Sequence, residues 1–268
     1  MMDTALKTAL LMTTLAGLST GLGGLLVLWR RPGSEAVSLA LGFAGGVMLA
    51  VSLADLIPAG LAWYLARFPP FGAGCAAGSL VLAGMAVAGL MEGLLPGEDQ
   101  ALLQMAEPAG RPDARLLRAQ ALHCGLAVAI ALLLHNLPEG ILTLFTGVSD
   151  PRAGLRVTLA IALHNIPEGI SVAAPLWYAT ENRLKSAGAA FLSGLAEPAG
   201  ALLAWLVLRP VLTPGLLSGM QLLVAGVMSW VSMAELLFGG FAMGQKQATA
   251  AGFALGVAGM ILGIAALA

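Results

Sequence analysis

This sequence has little charge. It holds 13 Lys and Arg and 14 Asp and Glu in 268 residues, or 10%, against about 25% in a typical soluble domain. A solvated globular surface is thereby excluded. The two signs nearly cancel, to a net −1 and an isoelectric point near 6.3. No basic footprint for a nucleic-acid partner remains. Cysteine is also scarce. Cys75 and Cys124 both sit in apolar stretches without a CxxC pair, so they are expected to be small core residues rather than a disulfide or a thiolate cluster.

What is abundant is apolar. Hydrophobic residues make up 59%, mean hydropathy is +0.90, and Gly numbers 35. A bilayer span needs about 20 apolar residues. Charges and prolines divide the chain into eight such segments: 7–29, 35–58, 72–95, 120–146, 154–178, 186–208, 213–238 and 248–267. The first is too long for a signal-peptide core and lacks a clear cleavage site, so it counts as a span. Gly and Pro inside these segments are compatible with membrane helices. The expected fold is all-α, one polytopic membrane domain over 1–268. Its longest connection, 96–119, is charged, contains Pro108 and Pro112, and reads as a solvated loop. The tryptophans 29, 63, 177, 205 and 230 lie mostly toward segment ends, as an interfacial aromatic belt requires.

Lys and Arg set an orientation. Connections after the odd-numbered segments carry 8 of the 13, namely Arg30, Arg31, Arg111, Arg115, Arg118, Arg183, Lys185 and Lys246; the opposite side carries 5. The positive-inside rule then places both termini on the non-cytoplasmic side of a cell membrane, the inner one in a two-membrane cell.

The chain repeats itself. Residues 46–56 read GVMLAVSLADL and 226–236 read GVMSWVSMAEL, with seven of eleven positions identical at a constant offset of 180. These strings lie in the second and seventh segments, which must cross the bilayer in opposite directions. Such an inverted-topology repeat is a mark of secondary transporters with a binding site near the midplane. Met48, Ser52 and Asp55 share one helical face, and Met228, Ser232 and Glu235 repeat it. A methionine there is either packing or a soft ligand. The two acids suit the entrance and exit of a cation pathway.

A second duplication carries the chemistry. The fourth segment contains LLLHNLPEGI and the fifth IALHNIPEGI, so His135, Asn136, Pro138, Glu139 and Gly140 recur as His164, Asn165, Pro167, Glu168 and Gly169. In a helix, residues four apart share a face, which puts an imidazole and a carboxylate on one stripe of each segment. Each proline is expected to free the carbonyl four residues back, at Leu134 and Leu163. A third acid, Glu197, precedes a proline in the sixth segment. An intramembrane carboxylate is costly and defaults to function, although buried polar groups also glue helices together. Two nitrogens with these carboxylates suit a borderline divalent cation such as zinc. Three acids suit either two ions with Glu139 and Glu168 as bridges, or one ion with a carboxyl kept protonated. By contrast, Glu92 and His123 are expected at the interface, solvated.

The paired HNxPEG elements, AGGVML in the second segment and SGLAEP in the sixth resemble the ZIP (zinc/iron permease) family of divalent-metal transporters, and within it the bacterial ZupT-like branch. The resemblance implies eight helices arranged three, two and three, with the outer triplets 1–3 and 6–8 related by an inverted repeat. It implies Met48, His135, Glu139, His164, Glu168 and Glu197 around a first metal position. Asn136 and Asn165 would join Glu139, Glu168 and Glu197 around a second. It also implies a homodimer. Some members carry Asp where this chain has Asn165, which makes the second position less negative here. Many carry a His-rich loop, whereas 96–119 contains no histidine.

The expected function is import of divalent transition-metal cations into the cytoplasm: zinc, with iron(II), manganese, cobalt and nickel as further candidates. Zinc or a related metal is then substrate, with no catalytic cofactor and no nucleic-acid partner. The partners are the metal ions and the lipid bilayer. An intramembrane zinc-dependent hydrolase is the alternative. It would need an open coordination position beside a placed acid or base, and the HExxH signature is absent. A metal-sensing receptor would need an output domain that the segments leave no room for.

Overall fold

A computed structural model describes residues 4–29, 31–93, 114–208, 210–211 and 213–267. Among them are eight helices long and apolar enough to cross a membrane: α1 Thr4–Trp29, α2 Ser34–Leu65, α3 Pro70–Glu92, α4 Arg115–Ser149, α5 Pro151–Thr180, α6 Arg183–Val207, α7 Pro214–Ala242 and α8 Lys246–Ala266. They match the eight expected segments. The main difference is at α4, whose helical backbone already begins at Ala114, so residues 114–119 are helix rather than loop. The rest of the expected loop, 96–113, lies outside the described residues.

Local chemistry explains several helix ends. Asp150 alone separates α4 from α5, and its carboxylate accepts from the backbone N–H groups of Arg152 and Ala153. Pro151 takes the first helical position, where its missing N–H is no loss. The two helices are therefore forced into a tight antiparallel hairpin. At the other end of α5, Glu181 adopts a left-handed conformation at φ 58° and stops the helix. Thr213 caps α7 in the same manner as Asp150, ahead of Pro214.

Both α4 and α5 run unbroken through Pro138 and Pro167. Elsewhere the helices widen into π-turns, over Ser52–Leu56 in α2, Ala204–Leu208 in α6 and Val231–Leu237 in α7. Such turns insert an extra residue per turn and re-aim side chains, often at functional positions. In α2 the π-turn runs directly into Pro58, which has no N–H to donate to the turn before it. The π-turns of α2 and α7 fall on the duplicated VSxA strings and carry Asp55 and Glu235.

Glycine sets the helix crossings. α2 packs most extensively on α8, and α7 packs against α3. At Gly46 a Cβ would lie 2.3 Å from the Phe253 carbonyl oxygen, and at Gly226 one would lie 2.1 Å from that of Val81. Gly46 and Gly226 are repeat mates, so the same contact is built twice. The inverted repeat is thus present in the packing as well as in the sequence. α4 and α5 form the middle pair, with α1 against α5 and α6 against α4. This is the three, two and three arrangement. Small residues permit such close approach between membrane helices.

Not every tryptophan lies in a belt. Trp29 is 97% exposed, but Trp177 is buried and Trp230 turns inward to donate its indole N–H to Glu92 at 2.6 Å. An indole has one polar atom, and inside the bundle a carboxylate satisfies it.

Candidate metal site

The α4–α5 hairpin aligns its two HNxPEG elements head to tail, and this decides how they pair. His135 Nε2 lies 3.3 Å from Glu168 Oε1, and His164 Nε2 lies 3.5 Å from Glu139 Oε1. Each imidazole meets the carboxylate of the other helix, not the one four residues along its own. The result is two stacked cross-helix pairs one turn apart. Glu197 of α6 joins from the side, its Oε1 accepting a short hydrogen bond from the Asn165 amide. His135, Asn136, Glu139, His164, Asn165, Glu168 and Glu197 are all at most 2% exposed.

The two asparagines are also positioning groups. Asn136 Nδ2 donates to the Ser193 carbonyl of α6 at 3.1 Å, and Asn165 Nδ2 donates to the Ala16 carbonyl of α1 at 3.0 Å. These bonds aim both amide oxygens away from the carbonyls they contact. Asn136 Oδ1, Asn165 Oδ1, both Glu168 oxygens, Glu139 Oε2 and Glu197 Oε2 are buried without a hydrogen-bond partner among the described residues. The ring nitrogens of both histidines also lack a hydrogen bond, although each Nε2 stands in the contact with a glutamate described above. Buried polar atoms left unpaired are costly. This set consists mainly of lone pairs, which is the composition that suits a cation.

Among the described residues, no three His, Cys, Asp or Glu side chains converge tightly enough to enclose a metal ion in this arrangement. The groups stand as pairs.

Two cavities reach this layer from opposite sides. One, of about 440 Å³, is lined by Glu139 and His164 and bears Asp55, Thr146, Arg156 and Gln221. It follows the hairpin half of α4. The other, of about 230 Å³, is lined by His135 and Pro138 and bears Glu92, Trp230 and Glu235. It follows the opposite half of α4, against α3 and α7. Asp55 and Glu235, mates in the repeat, therefore stand on opposite flanks of the histidine layer.

The remaining candidates divide. Met48 and Met228 are fully buried in one apolar core with Leu132 and Val172. Ser52 bonds back within its own helix, to the Met48 carbonyl at 2.8 Å, whereas Ser232 crosses to α2 and donates to the Gly45 carbonyl at 2.7 Å. Glu92, expected solvated at the interface, is partly buried at the end of α3. It lines the second cavity beside Glu235 and holds Trp230. No local signal distinguishes it from an ordinary acid at a helix end; the packing of α3 on α7 turns it inward.

The chain is similar to known proteins over most of its length. Residues 104–268 match the family model described as ZIP Zinc transporter. A protein named Zinc transporter ZupT from Chlorobium limicola is 37% identical over 265 residues, covering 97% of this chain and 98% of its own. One of the same name from Corynebacterium efficiens is 37% identical, covering 94% of each chain. Another from Akkermansia muciniphila is 41% identical over 236 residues, covering 85% of each. Identity at this level over nearly the full length, in a bundle that carries its chemistry in two duplicated motifs, means that the chain belongs to the ZIP zinc-transporter family.

Proposed function

We propose that this chain carries divalent transition-metal cations across a cell membrane into the cytoplasm, with zinc as the main substrate. The chain is a multi-pass membrane transporter, not an enzyme, so the hydrolase alternative falls. The observation that carries the reading is the doubled His–Glu layer, buried between two cavities that approach it from opposite flanks.

The chemistry follows from the donor set. Imidazole and carboxylate suit zinc, and the same mixture accepts iron(II), manganese, cobalt and nickel. In the first position we place His135, Glu139, His164, Glu168 and Glu197, with the thioether of Met48 as a soft ligand. In the second we place Asn136 and Asn165 with the shared Glu139, Glu168 and Glu197. Three buried carboxylates suit either two divalent ions with Glu139 and Glu168 as bridges or one ion with a carboxyl kept protonated. Asp55 on one flank and Glu235 on the other would draw cations in and hand them out. Met228 and Ser232, the repeat mates of Met48 and Ser52, are packed inside the bundle and line neither cavity.

The distribution of Lys and Arg supports termini on the non-cytoplasmic side of the inner membrane. Homodimer formation belongs to the same proposal and is testable by mass measurement in detergent. The deciding experiment is zinc entry into proteoliposomes, read by an internal fluorescent chelator. Wild-type flux that disappears in Glu168→Ala supports carriage through the paired motif. Stoichiometric zinc binding by folded protein without any flux would overturn it.

A further inference from the structure

The middle of the bundle has a local two-fold axis, and it passes where α1 crosses α6. Gly17 and Gly194 meet there: a Cβ on Gly17 would lie 2.3 Å from the Gly194 carbonyl oxygen, and one on Gly194 would lie 2.1 Å from that of Gly17. Around this point the contacts recur in pairs. Gly140 lies under the Glu197 carbonyl and Gly169 under the Thr20 carbonyl, each so close that a Cβ would sit 1.9 Å from the oxygen. Gly200 faces the Leu137 carbonyl and Gly23 that of Ile166, at 2.2 and 2.0 Å by the same measure. The Asn136–Ser193 and Asn165–Ala16 hydrogen bonds form a further pair. One register satisfies them all. In it Gly17, Thr20 and Gly23 correspond to Gly194, Glu197 and Gly200, each 177 residues on.

Thr20 is therefore the mate of Glu197. It is fully buried, and its hydroxyl has no hydrogen-bond partner among the described residues. A threonine in a membrane helix ordinarily donates to the carbonyl one turn back. Thr14, Thr158 and Thr180 do so here, to Leu10, Gly154 and Leu176. For Thr20 that carbonyl is Ala16, and it is already engaged. It accepts from Asn165 Nδ2 at 3.0 Å and from Ser19 Oγ at 2.5 Å. The usual partner is already engaged, and the Thr20 hydroxyl, like those of Thr13 and Thr143, has no hydrogen-bond partner among the described residues.

We propose that Thr20 is a specificity-determining residue of the metal pathway, supplying a neutral oxygen at the corner related by the axis to the Glu197 carboxylate. The inference rests on the metal-pathway reading above. A carboxylate at both corners would give four acids and hold ions too firmly, and conduction requires binding weak enough for exit. A hydroxyl instead offers a donor and an acceptor to a hydrated ion or a bridging water, and Asn136, the mate of Asn165 across the axis, has an Oδ1 that is likewise unpartnered. The site is thus symmetric in backbone and asymmetric in charge.

The test uses the full chain in proteoliposomes for zinc flux and manganese competition, and in detergent for zinc stoichiometry by calorimetry. Thr20→Val and Thr20→Ala should lower zinc flux by roughly tenfold, as loss of a supporting group at a metal site does, and change the competition by manganese. Thr20→Ser should restore both. Thr20→Glu should bind more zinc per chain and turn over more slowly. If Thr20→Val fails to insert, the contrast of Thr20→Ala with Thr20→Ser decides alone. Wild-type KM, competition and stoichiometry in Thr20→Val, Thr20→Ala and Thr20→Glu, with binding and flux lost in Glu168→Ala, would overturn the role of Thr20 and spare the pathway. Binding and flux retained in Glu168→Ala would overturn the pathway itself.

Discussion

His135 on α4 stands 3.3 Å from Glu168 on α5 rather than against Glu139 on its own helix. The tight Asp150–Pro151 turn makes the helices antiparallel neighbours, and the repeated spacing of four then sets histidine opposite glutamate twice. Coupling between His135 and Glu168 should therefore exceed coupling between His135 and Glu139. Double-mutant cycles on thermal unfolding in detergent would measure it. Contacting pairs give about 0.5–3 kcal/mol, and a larger value for the intrahelical pair would contradict this arrangement.

Removing either carboxylate of the proposed shared pair should stop transport while leaving the protein inserted. Glu139→Ala and Glu168→Ala are expected to reduce zinc flux to background in proteoliposomes. Asn165→Asp should act differently, because it adds a charge next to Glu197. It is expected to raise zinc occupancy or change the metal preference without abolishing flux, and calorimetric stoichiometry would distinguish the two.

Protons and metal compete for the same lone pairs, since ligands must be deprotonated to bind. Zinc affinity should fall steadily as pH drops from roughly 7.5 to 5.5, as protons displace metal from imidazole and carboxylate. Binding measured in detergent is the appropriate readout, as flux also reports proton gradients. Affinity independent of pH over that interval would remove the histidines from the site.

The crossings predict a sharp contrast among glycines. Gly140→Ala and Gly17→Ala would drive a methyl into backbone 1.9 and 2.3 Å away, and overpacking of this kind costs about 1–3 kcal/mol or more. Gly78 in α3 has open space around its Cβ position, so Gly78→Ala should be neutral or stabilising by up to about 1 kcal/mol. Melting of the three variants in one detergent would compare them directly.

Arg31 and Arg118 both reach Glu181 Oε1, at 3.0 and 2.7 Å, and tie the α1–α2 connection and the start of α4 to the end of α5. All three side chains are about half exposed, and such pairs contribute little. Glu181→Ala is expected to change stability by less than about 1 kcal/mol. A larger loss would mean that this end of the bundle is held by the ion pairs rather than by helix packing.

Much of this was legible before any coordinates. Long apolar runs can satisfy their backbones in a bilayer only as helices, so eight segments predicted eight helices. The HNxPEG duplication likewise announced its chemistry, because an acid and an imidazole in hydrocarbon are too costly to be incidental. What the periodicity of a single helix could not say was which histidine meets which glutamate. A stripe at spacing four places both groups on one face, and only the neighbouring helix determines the partner.

Other features depended entirely on the third dimension. The contact between Glu92 at the end of α3 and Trp230 exists only because α3 packs on α7. Thr20 carries no motif, and only the repeated glycine contacts of α1 and α6 reveal its correspondence to Glu197. The sequence by itself determined the number of spans, the inverted repeat of α2 and α7, and the buried donors. The tertiary structure decided their pairing, the two flanking cavities and the charge asymmetry across the axis. The reason is physical: hydropathy and helical spacing are local properties, whereas contacts between helices follow from backbone approach, which small residues far apart in the chain control jointly.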